Sequence, residues 1–186
     1  MRVVLIIVVA LTGIIATKFA LTENEEECLL ALEKEGYVFD TLTGFEGPKC
    51  NIKQPVKLYS TPTTQLETPV TLSCKFARSF GAWASDIHAS KITHMGGYNC
   101  QKIAGSNFMS QHSYGNAIDI SSIDGVSIKD SWQEAAKVAC KHFTNVLTPA
   151  SNAAHHDHLH LDNGMGFPCW GKKMKNSLQI WLEQSE

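Results

Sequence analysis

The segment from His155 to Asp162 contains four of the chain's eight histidines. From position 158 onward, polar side chains alternate with leucines, which predicts a half-buried strand. His158, His160 and Asp162 then share its polar face. Neutral histidine is the commonest protein metal ligand and a proton carrier near pH 7. The segment is therefore predicted to supply one side of a metal site. The interleaved leucines disfavour the alternative, a surface histidine cluster.

Size and charge narrow the class of protein. The chain has 186 residues, which suits one domain with its own core. Its formal charge is -2, and it contains neither a basic block nor basic residues interleaved with aromatic ones. We therefore expect a monomer and no nucleic-acid partner.

The N-terminus has the pattern of a secretory signal. A basic start precedes a nearly unbroken apolar run from Val3 to Ala16, as in a charged n-region followed by an h-region. Residues 1–20 are therefore predicted to direct export, to the periplasm or the extracellular space. Neither Ala16 nor Ala20 completes a small-x-small cleavage pattern, so a retained N-terminal membrane anchor stays as the alternative. Lys18 interrupts the run of about 20 apolar residues that an anchor needs.

Six cysteines follow that segment, and none of them forms a Cys-x-x-Cys pair. This spacing disfavours a zinc ribbon and a thioredoxin-type redox motif. In an exported chain an even count predicts three disulfides, whose pairing the sequence leaves open. The six are Cys28, Cys50, Cys74, Cys100, Cys140 and Cys169.

The rest of the chain predicts an α+β fold with hairpin-linked strands, not a parallel βαβ repeat. Apolar spacing predicts helices before Gly36, from Pro69 to Ile87 as the longest, from Trp132 to Phe143, and from Met174 to Glu183. Strands are predicted at Tyr98–Ile103 and Ala117–Ile123, and an Asp124-Gly125 hairpin turn follows the second one.

A second segment, from Ser110 to Ile120, can complete the metal site. His112 and Asp119 flank a Tyr-Gly-Asn turn, which lets the chain fold back and bring imidazole and carboxylate together. An uninterrupted strand would place them on opposite faces, because their separation is odd. If the Asp119 strand lies beside the His160 strand, two histidines and one carboxylate can bind one divalent ion. Such a set leaves a fourth tetrahedral position open, as in catalytic zinc sites.

These two segments resemble a known group of proteins. His-x6-Asp followed by His-x-His is similar to the zinc pattern of the superfamily of lysostaphin-type peptidases, D-Ala-D-Ala carboxypeptidases and hedgehog proteins. From about Cys28 to Cys169 the chain more narrowly resembles the bacterial extensin-like protein C-terminal domain family. The matching motifs are Tyr98-Asn99-Cys100, Ser110-x-His112, Gly115-Asn116-Ala117-Ile118-Asp119-Ile120, Val146-Leu147-Thr148-Pro149 and His155-x-Asp157-His158-Leu159-His160-Leu161-Asp162. The resemblance implies one hedgehog/D-Ala-D-Ala peptidase-like domain over residues 21–186, with a small antiparallel sheet carrying the site and helices around it.

The resemblance also implies roles for individual residues. His112, Asp119 and His160 would bind Zn²⁺, and His158 would lie beside the metal. His155 occupies the position of the carboxypeptidases' glutamate base. The His-x-x-His-x-His spacing that begins at His155 is similar to that of penicillin-insensitive murein endopeptidases. His155 would then be the catalytic base, and His158 the donor to the developing oxyanion.

The expected function is a zinc-dependent peptidase that acts on peptidoglycan peptides, with metal-activated water as nucleophile. Zinc lowers the pKa of its water to about 7, where an imidazole is matched to accept the proton. One alternative is an exported zinc-containing cell-wall binding module without turnover; another is a zinc amidase on the same core. His155 and His158 favour an enzyme, because a structural zinc needs neither.

Five further residues have either a specific expectation or two open interpretations. Relatives usually carry Arg directly after the cysteine of the Tyr-x-Cys motif, where this chain has Gln101 and then Lys102. Gln lacks the charged fork that binds a carboxylate, and on a strand Lys102 would face the other way. Asp157 and Asp162 either orient a ligand histidine or lie at surface turns. Tyr114 is either a substrate contact or a loop-packing residue.

Overall fold

A computed structural model describes residues 27–45 and 47–165 of the chain. Within these residues, an eight-stranded mixed sheet packs against helices. This confirms the α+β prediction. The sheet differs from the predicted small antiparallel one, since it has eight strands and one of its strand pairs is parallel.

The sheet has the order β1-β2-β3-β4-β5-β8-β7, and β6 pairs with β5. Its strands are β1 (Val38–Thr41), β2 (Pro55–Ser60), β3 (Gln65–Ser73), β4 (Lys91–Gly96), β5 (Ala117–Ile123), β6 (Val126–Ser127), β7 (Asn145–Leu147) and β8 (Leu159–Asp162). The helices are α1 (residues 27–35), α2 (Cys74–Asp86), α3 (Ile128–Ser131) and α4 (Gln133–Ala139), and 3-10 turns lie at Gln111–Tyr114 and Ala153–His155. Only β3 and β4 pair in parallel, and α2 connects them.

The core lies around α2. The hydroxyl of Ser73 accepts a hydrogen bond from the backbone N–H of Phe76 and caps the helix, as serine commonly does at this position. Phe76, Phe80 and Trp83 are fully buried along one face. The indole of Trp83 also donates to the carbonyl of Ala135 at 3.1 Å, which ties α2 to α4.

The helix predicted from Pro69 begins instead at Cys74, and Pro69 belongs to β3. Val70 and Leu72 alternate inward and pair with β2, so this part of the apolar run follows the period of a strand. Pro69 is tolerated because the pairing of β3 with β4 is limited to residues 65 and 66.

The other predicted elements have mixed outcomes. The predicted strand over Ala117–Ile123 and its hairpin are confirmed by β5 and β6. The strand predicted at Tyr98–Ile103 is wrong, because the backbone N–H of Gln101 donates to the hydroxyl of Ser113 and not to a neighbouring strand. The third helix is split into α3 and α4, with Ser127 as the first cap. The helix predicted from Met174 to Glu183 lies outside the described residues.

Two disulfides join described residues, Cys28–Cys74 and Cys50–Cys100. No cysteine of the described part is free, and Cys169 lies outside it. Such bonds persist in oxidising compartments, which supports the predicted export. None of the helices in residues 27–45 and 47–165 is long and apolar enough to cross a membrane; the predicted signal or anchor precedes that part.

Candidate metal centre

Three donor side chains converge where β5, β8 and the first 3-10 turn meet. The register of β5 and β8 pairs Asp119 with His160, so both side chains lie on the same face of the sheet. His112 comes from the turn just before β5. Ligand atoms of all three lie within 4.8 Å of one another. The structure thus brings together the three predicted ligands, while their role as ligands stays a prediction.

The distances between these donors are short. Nε2 of His112 lies 3.2 Å from Oδ2 of Asp119, and Nδ1 of His160 lies 2.8 Å from Oδ1 of the same carboxylate. The two imidazole nitrogens are 3.3 Å apart. One nitrogen of each histidine and both carboxylate oxygens therefore face a common point.

The other ring nitrogen of His112 is held by the backbone. Nδ1 of this buried histidine donates to the carbonyl of Gly97, so Nε2 carries the lone pair when the ring is neutral. A Cβ on Gly97 would lie 2.6 Å from the carbonyl oxygen of Thr71. Glycine thus lets this part of the chain pack closely against β3 and aim its carbonyl at His112.

His160 is held in the corresponding way by a carboxylate. Its Nε2 donates to Oδ2 of Asp162 at 2.8 Å, and this leaves Nδ1 to face Asp119. Asp162 is only 7% exposed, and its other oxygen accepts from the side-chain amide of Asn145 and the backbone N–H of Gly164. Of the two interpretations of Asp162, the structure supports a carboxylate that orients the histidine.

The charges of this cluster favour a cation. Burial opposes ionisation of Asp119, but its close contacts with the imidazoles of His112 and His160 outweigh burial and hold the pKa of its carboxyl well below the usual range. Burial likewise disfavours charge on His160, yet hydrogen bonds to Asp119 and Asp162 prevail and raise its pKa to about 9. The carboxylates therefore hold a proton at the point where the donors converge, and a metal ion would compete with it.

The donor set fits a divalent metal ion. Both histidines have one nitrogen tied to an oxygen and the other turned toward Asp119. Two imidazoles and one carboxylate are typical zinc ligands, although imidazole also suits copper, iron and nickel. The three donors can thus hold a metal ion, and the identity of that ion belongs to the proposal below.

The cluster lies in a cleft of about 510 Å³. Both predicted catalytic histidines line it. Nε2 of His158 lies 3.6 Å from Oδ1 of Asp119, and its Nδ1 lies 2.9 Å from Oδ1 of the half-buried Asp157. The ring of His155 lies 5.0 Å from that of His158 and 5.5 Å from that of His160.

The environment of His155 favours its neutral form. Burial, followed by the neighbouring rings of His160 and His158, lowers the pKa of His155. A neutral imidazole near pH 7 can accept a proton. The catalytic roles of His155 and His158 stay predictions.

Gln101 and Lys102 both line the cleft. The expectation for Lys102 assumed a strand, and because this segment is a loop the alternation of a strand does not apply to it. Lys102 forms an isolated bridge with Met109, and its Nζ lies 3.3 Å from Oδ1 of Asn107. Among the described residues that line the cleft, Lys102 is the only lysine or arginine.

Sequence reasoning missed two positioning residues, Gly97 and Asn145. Gly97 stands in the Gly-Gly pair just before the Tyr-x-Cys motif, and Asn145 just before the Val-Leu-Thr-Pro motif. Their places beside matching motifs are the signals that could have found them. Tyr114 is not among the described residues that line the cleft, which leaves loop packing as its interpretation.

Comparison with known proteins identifies the family. A family profile described as extensin-like protein C-terminus matches residues 26–169. The match includes both 3-10 turns and the strands β5 and β8, and it therefore includes all three donors. Searches of curated proteins and of solved structures find no match. Because the profile covers most of the chain, the protein belongs to the extensin-like protein C-terminal family.

Proposed function

We propose that the protein is a zinc-dependent peptidase that acts on peptidoglycan peptides. One observation carries the proposal: His112, Asp119 and His160 converge in a cleft that two further histidines line. Structural zinc sites are closed by four protein ligands, whereas catalytic sites use three and keep one position open. Three such side chains converge among the described residues.

The residues of the site have different roles in the proposed reaction. His112, Asp119 and His160 would hold the ion. When bound, zinc lowers the pKa of water and polarises a carbonyl oxygen. His155, neutral near pH 7, would accept the proton of the attacking water. His158 would donate a hydrogen bond to the oxygen on which negative charge develops, and Oδ1 of Asp157 lies 2.9 Å from its Nδ1.

The cleft and the predicted compartment support the substrate class. A volume of about 510 Å³ is within the range of sites for small ligands. Lys102 supplies a positive charge for a carboxylate, a group that peptidoglycan stem peptides carry. The two disulfides support an oxidising compartment, and such a compartment is where an exported protein would meet the cell wall.

A binding module without turnover is the second candidate function. Gln101 supports it, because a neutral amide binds a carboxylate less strongly than the arginine usual in relatives. A zinc amidase on the same core would use the same residues and cut a different bond. The products of the reaction distinguish these alternatives.

The test is incubation of zinc-loaded protein with defined muropeptides, with products identified by mass spectrometry. We expect wild type to cleave a peptide bond, and His155→Ala and His160→Ala to cleave none. Zinc is expected to be lost only in His160→Ala. His156→Ala is the matched control, because this exposed neighbour does not line the cleft. Wild type that binds zinc but releases no product would establish the binding module.

A further inference from the structure

We infer that Asn152 is a positioning residue that fixes His155 in the tautomer whose free nitrogen can accept a proton in the cleft. The catalytic meaning of this inference rests on the proposed function. The hydrogen-bond geometry behind it does not.

The orientation of the Asn152 amide is fixed by the backbone. Its Oδ1 accepts the backbone N–H of Ala154 at 3.0 Å and also lies 2.8 Å from Nδ1 of His155. A backbone N–H can only donate, so the amide atom that faces Ala154 must be the oxygen. This contact removes the usual ambiguity between the two ends of an asparagine amide.

The fixed amide determines where the proton of His155 lies. A carbonyl oxygen can only accept a hydrogen bond, so Nδ1 of His155 must carry the hydrogen. In the neutral ring Nε2 then has the lone pair. No described residue hydrogen-bonds this Nε2, and His155 lines the cleft. The basic atom of His155 is therefore left for a ligand in the cleft.

Asn152 performs a structural and an orienting task with the same oxygen. It caps the 3-10 turn Ala153–His155 from an extended conformation. The ring of His155 is thereby fixed relative to the turn that carries it. His156, the next residue, donates from Nδ1 to the carbonyl of Ala153 and is exposed, so the turn separates the two adjacent histidines.

The chemical nature of the partner distinguishes His155 from its neighbours. His158 and His160 each have carboxylate oxygens near both ring nitrogens, from Asp157, Asp119 and Asp162. His155 has a neutral amide oxygen instead. A neutral partner fixes the ring without favouring protonation, as a proton acceptor requires.

The test measures the ring nitrogens of His155 in metal-free protein by long-range proton–nitrogen NMR, at a pH where the ring is neutral. We expect wild type to show a protonated Nδ1 and an unprotonated Nε2, and Asn152→Ala to show a mixture of tautomers. Asn152→Asp keeps an accepting oxygen and should retain the wild-type tautomer. Ser151→Ala, which removes a hydroxyl bonded to the N–H of Thr148 in the same loop, should have no effect. A protonated Nε2 in wild type, or no change in Asn152→Ala, would overturn the inference.

Activity separates this inference from the proposed function. In zinc-loaded protein, Asn152→Ala should lower kcat by about 10-fold or more and leave zinc affinity unchanged. If the tautomer changes as expected but wild type cleaves no muropeptide, the positioning role stands and the proposed function fails. If wild type and Asn152→Ala cleave equally, the positioning role fails and the proposed function stands.

Discussion

The floor of the cleft and its wall are built in different ways. The floor consists of Asp119 on β5 and of His160 and Asp162 on β8. His160 and Asp162 are less than 10% exposed, and each has several hydrogen-bond partners. The wall consists of the loops around this floor, with Lys102, the 3-10 turn Ala153–His155 and Asp157. Among the described residues, the ring of His155 makes one hydrogen bond, to Asn152. Sheet register thus fixes the candidate metal ligands, whereas local loop contacts fix the candidate base. Changes in the floor should remove the metal, and changes in the wall should affect activity alone.

The largest effect is expected for Asp119→Asn in the floor. The substitution keeps the size of the side chain but removes the negative charge that both histidines face. We expect zinc affinity, measured by competition with a chelator, to fall by more than about 100-fold. Asp86→Asn, which affects an exposed carboxylate paired with His142, is the control and should bind zinc as wild type does. Zinc binding by Asp119→Asn within tenfold of wild type would show that the floor does not hold the metal.

Asp162→Asn tests whether the floor depends on the tautomer of His160. Asn145 and Gly164 both donate to one oxygen of Asp162, so an asparagine there would keep its oxygen on them and turn its NH₂ toward Nε2 of His160. That nitrogen would become an acceptor, and the proton would move to Nδ1, the metal-facing atom. We expect zinc affinity to fall by about 10- to 100-fold.

The control for this tautomer test is Asp157→Asn in the wall. Asp157 is half-buried and contacts His158, which is not one of the three donors. Its zinc affinity should match that of wild type. Equal losses of zinc affinity in Asp162→Asn and Asp157→Asn would mean that the floor and the wall do not differ in their contribution to metal binding.

The floor should also bind zinc in a pH-dependent way. Nδ1 of His160 can bind a metal only after it loses its proton, and its pKa of about 9 in metal-free protein keeps it protonated at pH 7. Zinc affinity should therefore rise by about tenfold per pH unit from pH 7 to 9 and level off above. Calorimetry at pH 7.5 in buffers of different ionisation enthalpy should show release of about one proton per zinc from His160. No proton release would contradict the assignment of His160 as a ligand.

The smallest effect is expected for Lys102→Ala in the wall. This exposed cation can attract a substrate carboxylate, and exposed charge pairs contribute modestly. We expect KM for muropeptides with a free carboxylate to rise by about 2- to 5-fold, with kcat and zinc affinity unchanged. Lys102→Arg should restore the wild-type KM, and Lys137→Ala on α4 should have no effect. A fall in kcat that is larger than the rise in KM would assign Lys102 to the chemical step instead of to substrate binding.

The sequence predicted the floor well because its signals are local. Alternation of histidine and leucine identified β8, and the turn between His112 and Asp119 identified the return of the chain. The segment around Pro69 was misassigned because strand and helix periods overlap in one apolar run, and pairing with β2 decides between them. Local pattern alone could not resolve that overlap.

The wall and the supports of the donors depend on contacts that one sequence does not reveal. Gly97 reaches His112 across 15 positions, and Asn145 reaches Asp162 across 17. The loop that carries Lys102 is held by the Cys50–Cys100 disulfide and by the hydroxyl of Ser113, which accepts from the backbone N–H of Gln101. These residues became apparent only in three dimensions.

X-ray absorption at the zinc edge, on protein loaded with one equivalent, tests most directly whether the floor holds one metal ion. The result we predict is a nitrogen and oxygen shell at about 2.0–2.2 Å, with outer-shell scattering from two imidazoles in wild type. A sulfur shell at about 2.3 Å, or the spectrum of zinc in water, would contradict the site.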